Sequence, residues 1–358
     1  MATQSAKVRD SQVSAEKLPA GLRWTRWVAW VLCVLTFPLL WIGGLVTTTK
    51  SGMAVPDWPG TYGYNMFLYP LSTWWSGPWD LFVEHGHRLL ATIIGLLSLL
   101  IAGLLWKYDS RSWMRWAGIV TVIGVIAQGA LGGFRVLLDD RILAMIHGCV
   151  GPLFFALTAA LVVWTSRSWN ELELPENSPL AGRLFGIARL TCVLVYLQMI
   201  VGALIRHMPV TFVTTAFTHA TRVHVVLAGL VTVLVLRMAW LATRAEFPKF
   251  LRRSGWVLNF AMLFQLLLGL ATWILKYGTP LWLRGILPMS PEAVLADGWW
   301  QSHVVTAHQA TGALLLGTTT IVLLLSWRMA PGVANENAPH SLRWNEPTAR
   351  LEQGATTR

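Results

Sequence analysis

The sequence predicts an all-α membrane protein: eight transmembrane helices arranged as two pseudo-symmetric four-helix bundles. Three observations lead there. Of the 358 residues, 54% are hydrophobic and only 13% charged, far more apolar than an ordinary soluble domain. Runs of about 20 apolar residues, the length that crosses a hydrocarbon core of about 30 Å, recur eight times. They fall near 27–48, 86–106, 114–137, 142–164, 185–206, 219–242, 256–276 and 304–327. Polar motifs also repeat at matching depth within them, one kind in the odd runs and another in the even runs.

The first run is too long, and too poorly flanked by a small-residue cleavage site, to read as a cleaved signal peptide, so it counts as a span. The formal charge of +11 is a topogenic signal. Lys7, Arg9, Lys17, Arg23 and Arg26 precede span one; Lys107, Arg111 and Arg115 separate spans two and three; Arg167, Arg183 and Arg189 separate four and five. With Arg237, Arg244, Lys249, Arg252, Arg253, Arg328, Arg343, Arg350 and Arg358, this side holds 20 of the 28 Lys and Arg. The positive-inside rule puts both termini in the cytoplasm, which fits a multi-pass protein of the cell inner (cytoplasmic) membrane and leaves no case for nucleic acid. Cys33, Cys149 and Cys192 lie inside spans with no metal-ligand spacing, so they read as small core residues. The expected organisation is a cytoplasmic tail 1–26, an N-terminal four-helix half 27–164, a cytoplasmic linker 165–184, a C-terminal half 185–327 and a cytoplasmic tail 328–358.

The odd spans carry Gln followed four residues later by Gly: Gln128 in "QGALGGFRV", Gln198 in "QMIVGALIRH" and Gln265 in "QLLLGLATWIL". Span one has "WIGGLVTTTK" at that depth, without the Gln. Positions i and i+4 share a helix face, so each of these spans presents a polar and a small group to a neighbour. The even spans repeat a histidine with Ala or Gly four residues on: His87 in "HRLLA", His147 in "HGCVG", His224 in "HVVLA" and His308 in "HQATG". All four histidines lie near the external start of a span, and the small residue is expected to leave room one turn deeper for something flat and bulky.

Ionisable groups within a membrane are costly and usually functional. Bundles build cofactor sites from facing helices, and two imidazoles form an axial pair for haem iron. The repeat therefore points to two haem sites, His87 with His147 and His224 with His308. Zinc fits less well, because Glu84 is the one carboxylate or cysteine at hand to complete a ligand set. His219 and His303, each five residues before a proposed ligand, are the competing candidates. His85 is expected to face the membrane interface, His207 ends a span, and His340 lies in the tail.

The two halves differ at Glu84, three residues before His87. If the helix extends that far, its carboxylate lies over the imidazole and is placed to take up a proton or stabilise developing positive charge. The competing reading is an ion pair with Arg88 at i+4. The external loops 49–84 and 277–303 are rich in Pro, Gly and Trp, a composition that suits interfacial anchoring or a cover over a hydrophobic substrate. Arg135, Arg206 and Arg222 near external span ends can pair with haem propionates or serve as solvated anchors.

The segment "GGLVTTTKSGMAVPDWPGTYGYNMF", the run "EHGHR" and the motif "HQATG" together resemble the haem A synthases over roughly residues 27–327. The resemblance implies an eight-helix enzyme that oxidises a ring methyl of haem O to a formyl group by successive hydroxylations, giving haem A for haem–copper terminal oxidases. It further implies that His87 and His147 hold the substrate or product haem, that His224 and His308 are axial ligands of a haem B cofactor, and that Glu84 is the glutamate important for the oxidation. The implied partners are the bilayer, haem O, an electron donor that the sequence does not identify, a haem O synthase, terminal-oxidase assembly factors and a further copy of the chain. One departure is the absence of a cysteine pair around Asp57-Trp58-Pro59, which places the chain with cysteine-free members. Two other classes remain open on the residues alone: a di-haem b-type cytochrome taking electrons from quinol, and a haem carrier or exporter, to which the pairs Trp74-Trp75 and Trp299-Trp300 point.

Overall fold

The apolar runs form helices whose ends are set by side-chain caps and by prolines. A computed structural model describes residues 20–166, 169, 178–208, 215–278 and 298–330. Eight helices in it are long and apolar enough to cross a membrane: α1 (Ala20–Thr48), α2 (Trp79–Tyr108), α3 (Ser112–Leu137), α4 (Arg141–Trp164), α5 (Pro179–His207), α6 (Thr215–Ala242), α7 (Lys249–Tyr277) and α8 (Trp299–Met329). Every predicted span lies inside one of them, and each helix runs beyond its span. Hydropathy stops at the first polar residues, whereas the backbone continues to a cap. Asp140 accepts from the N–H groups of Ile142 and Leu143 to start α4, and Ser178 caps α5 with Pro179 in its first turn.

Helices α1 to α4 close into a ring, each packing on the next and α4 returning to α1; α5 to α8 do the same, and the rings meet where α8 packs on α1 and α4 and where α4 packs on α5. The burial follows from this. In the most apolar window of each helix, 61% of α4 and 67% of α8 is buried against 17% of α3. Val120, Ile123 and Ile126 of α3 are accordingly exposed, as a lipid-facing stripe should be. The central helix α8 buries Ala307, Ala310, Gly312, Ala313 and Gly317, small residues that admit close neighbours. A Cβ on Gly317 would lie 2.8 Å from the Phe155 ring of α4. Several buried hydroxyls are satisfied within their own helices, as by Thr319 on the Leu315 carbonyl and Ser326 on that of Val322, both at 2.7 Å.

The first external loop folds back over the start of α2. It contains the single turns Ser51–Met53 and Met66–Leu68 and the short helix Leu71–Trp75, and it buries Val55 and Thr61 completely. Of the second external loop, residues 279–297 lie outside the described residues, as do most of both predicted tails and half of the predicted linker.

Candidate haem-binding and oxidation site

The four repeated histidines face one another in two pairs. The ring centres of His87 and His147 are 6.5 Å apart with planes at 86°, and those of His224 and His308 are 6.4 Å apart at 71°. Two imidazoles that bind one metal from opposite sides through bonds of about 2 Å, with about 1 Å more from nitrogen to ring centre, bring their centres to about 6 Å. Both pairs therefore have the span of an axial pair before any metal is considered. Each pair supplies two donors, and no cluster of three or more His, Cys, Asp or Glu able to hold a metal exists among the described residues. A metal that takes only two protein ligands must bring its other donors with it, as haem iron does.

Each imidazole owes its orientation to a glycine on the preceding odd-numbered helix or, for His87, on α1. A Cβ on Gly43, Gly132, Gly202 or Gly269 would lie 2.9, 3.1, 3.1 and 3.0 Å from Cε1 of His87, His147, His224 and His308 respectively. Glycine lets the ring rest on the neighbouring backbone, beside Leu39, Gln128, Gln198 or Gln265 one turn earlier. The Nδ1 atom of each ring is buried there without a partner at full hydrogen-bond geometry.

Two glutamines of the odd spans donate to the histidine helices. Gln128 Nε2 donates to the His147 carbonyl at 3.3 Å and Gln198 Nε2 to that of His224 at 3.0 Å. A Cβ on Gly151 would meet Gln128 Nε2 at 3.1 Å, and one on Gly312 would meet Gln265 Nε2 at 3.5 Å. At these two positions the glycine lies beside a glutamine amide of the adjacent helix.

Helix α2 does extend through Glu84, and both carboxylate oxygens have partners. Oε1 accepts from Arg88 Nη2 at 2.8 Å and Oε2 from the Val55 N–H at 2.9 Å, with Glu84 2% exposed. Arg88 reaches further, donating to the carbonyls of Val55, Asp57 and Gly60 at 2.7, 2.6 and 2.9 Å. The ion pair thus ties the first external loop to the helix that carries His87. Asp57 shapes the far side of that loop by accepting from the N–H groups of Tyr62 and Gly63, and Trp58 docks on α3 at Gly133, where a Cβ would stand 2.4 Å from its ring.

His85 corrects its sequence expectation. It is 2% exposed, pairs with Thr61 Oγ1 at 3.0 Å and lies between the rings of Tyr69 and Trp74, because the folded loop covers the face of α2 that would otherwise meet the interface. Of the competing ligand candidates, His219 is exposed, and His303 sits 4.4 Å from Trp299 and 6.2 Å from Trp41 by ring centres. His303 lines a cavity of about 410 Å³ between the two rings of helices, together with Leu45, Thr49, Lys50, Trp79, Trp299 and Ser302. Trp74 is half-buried and stacks on Phe82, whereas Trp299 meets Trp79 edge-on and remains exposed. Arg135 lies against Gly52, Arg222 is exposed, and Arg206 crosses between the two helix rings.

Fold and site together define a multi-pass helical membrane protein with facing imidazoles suited to a metal held from two sides. The chain belongs to the family described as cytochrome oxidase assembly protein, COX15-CtaA, whose profile matches residues 79–284. It is 29% identical over 184 residues to a protein named heme A synthase from Shouchella clausii, covering 49% of this chain and 56% of that one. It is also 29% identical over 256 residues to one of the same name from Symbiobacterium thermophilum, covering 63% and 78%. A third so named, from Rhodopseudomonas palustris, is 26% identical over 225 residues, covering 54% and 59%. The chain thus spans little more than half the length of the Shouchella relative.

Proposed function

We propose that the protein is a haem A synthase, a membrane oxidoreductase that converts the ring methyl of haem O to the formyl group of haem A. The observation that carries this reading is an asymmetry: two facing histidine pairs of nearly equal span, of which only the first has a buried carboxylate three residues before a ligand. His87 and His147 hold the substrate haem O, and His224 and His308 hold haem B. A haem B bound there supplies one-electron redox chemistry. The glycines beneath the rings fix the imidazole planes, so the chain orients both groups without reorganisation.

Glu84 takes up a proton released as the substrate methyl is oxidised, or stabilises positive charge developing at that carbon. Its pairing with Arg88 and Val55 sets the direction of the carboxylate, and the loop it anchors excludes water from the first site. The organisation that follows is a substrate half at 27–164 and a haem B half at 185–327, joined by a cytoplasmic linker at 165–184. The tails 1–26 and 328–358 lie in the cytoplasm of an inner-membrane protein. Haem O synthase, oxidase assembly factors and a second copy of the chain are its partners in this scheme. The di-haem cytochrome uses the same four histidines but gives no reason for a carboxylate at one site.

The test is extraction and chromatography of haems from detergent-purified protein made in cells that also produce haem O. Haem B together with haem O, a hydroxylated intermediate or haem A supports the synthase. Haem B alone, despite available haem O, makes the protein a cytochrome.

A further inference from the structure

The two helix rings meet at a polar junction near their external ends. Arg206, near the external end of α5, donates through Nη2 to the Gly44 carbonyl at 2.7 Å and to Thr48 Oγ1 at 2.5 Å on α1, and through Nη1 to Gln309 Oε1 on α8. Thr48 Oγ1 in turn lies 3.2 Å from Thr306 Oγ1. Helices α1 and α8 approach closely here, since a Cβ on Gly44 would stand 2.8 Å from Thr306 Cγ2 and 3.2 Å from Gln309 Oε1.

The neighbours in sequence give this junction its meaning. Gly44 follows Gly43, on which the His87 ring rests, and Gln309 follows His308. One guanidinium therefore grips the backbone beside the first histidine pair and the side chain beside the second. A hydrogen-bonding amide such as Gln would suffice to hold two helices together. An arginine, always protonated, adds a fixed positive charge and a planar fork able to reach two helices at once.

We propose that Arg206 is a positioning residue that holds the two histidine pairs at a fixed separation and raises the reduction potential of the group bound by His224 and His308. This rests on the reading of that pair as a haem B site. Reduction removes one positive charge from the metal, so a nearby fixed cation in a low-dielectric setting favours the reduced form. Electrons are then drawn to the second site and held at a set distance from the first.

The experiment compares the full-length protein with Arg206→Gln and Arg206→Lys in detergent. Haem content comes first, then the midpoint potential by spectroelectrochemical titration, then hydrogen exchange of 44–48 and 306–309 in the haem-free protein. The expected result is retained haem B in all three, a lower potential in Arg206→Gln, a potential close to the parent in Arg206→Lys, and faster exchange of both segments in both variants. An unchanged potential in haem-loaded Arg206→Gln overturns the electrostatic role, and unchanged exchange overturns the bridge. If the parent itself holds no haem at His224 and His308, the haem B reading fails, and the exchange measurement on haem-free protein still decides the bridge.

Discussion

Glu84 and Arg88, one turn apart on α2, form an ion pair of 2.8 Å with both side chains buried, and Arg88 extends from it to three carbonyls of the first external loop. A single pair thereby joins the loop, the helix and the position next to His87. Removing one member leaves the other charged and buried, which costs about 3–5 kcal/mol. Arg88→Ala is expected to release the loop, read as rapid protease cleavage between residues 55 and 65 while the rest of the chain stays intact. Glu84→Gln keeps an oxygen for Val55, so it should hold the loop far better, retain haem and still lose conversion of haem O. Normal turnover in Glu84→Gln would falsify the proton-handling role.

The histidine pairs should respond separately to mutation. His224→Ala or His308→Ala is expected to remove haem B, whereas His87→Ala should impair retention of the substrate haem and leave the second pair occupied. Absorbance spectra and chromatography of the copurified haems read both outcomes.

Alanine at Gly132 or Gly269 should act like a ligand mutation at a distance. The new methyl meets an imidazole at 3.1 or 3.0 Å, and relieving such overpacking costs about 1–3 kcal/mol. The expected result is a haem occupancy at that pair lowered by about tenfold or more with the other pair unaffected. Gly129→Ala, on the same helix as Gly132 with nothing within 4 Å of the new atom, is the control and should be silent or slightly stabilising.

Asp57 gives the loop a pH dependence. Burial pushes its carboxyl up, but the N–H groups of Gly63 and Tyr62 and the Arg88 charge outweigh that and bring its pKa below the ordinary 3.8. A carboxyl depressed in the folded state adds stability that is complete above the ordinary value and disappears as pH falls through the folded one. Loop protection from an acid-active protease should therefore be flat above about pH 5 and drop only below about pH 4. Asp57→Asn should flatten that drop.

How much of the site is legible from sequence differs residue by residue. The register of His87, His147, His224 and His308 can be read directly, because one residue type recurs at one depth in alternate spans and the helical period fixes its face. The partner of Gly43 cannot, since span one lacks the glutamine that marks the other odd spans. Nothing in the pattern of their own spans places Gln128 beside Gly151 or Gln265 beside Gly312, which the helix packing does. His85 looks interfacial on α2 alone and is buried because a loop more than twenty residues away in sequence folds over it through Thr61.

By itself the sequence determined the eight spans and the register of the four histidines, because hydrocarbon thickness and helical periodicity act on each segment locally. Only the tertiary structure decided that the imidazoles face each other at 6.5 and 6.4 Å, that Glu84 is clamped by Arg88 and Val55, and that Arg206 joins the two rings of helices. These are relations between segments up to 162 residues apart. They depend on which helix faces meet, a choice made by the packing of all eight at once rather than by the pattern of any one.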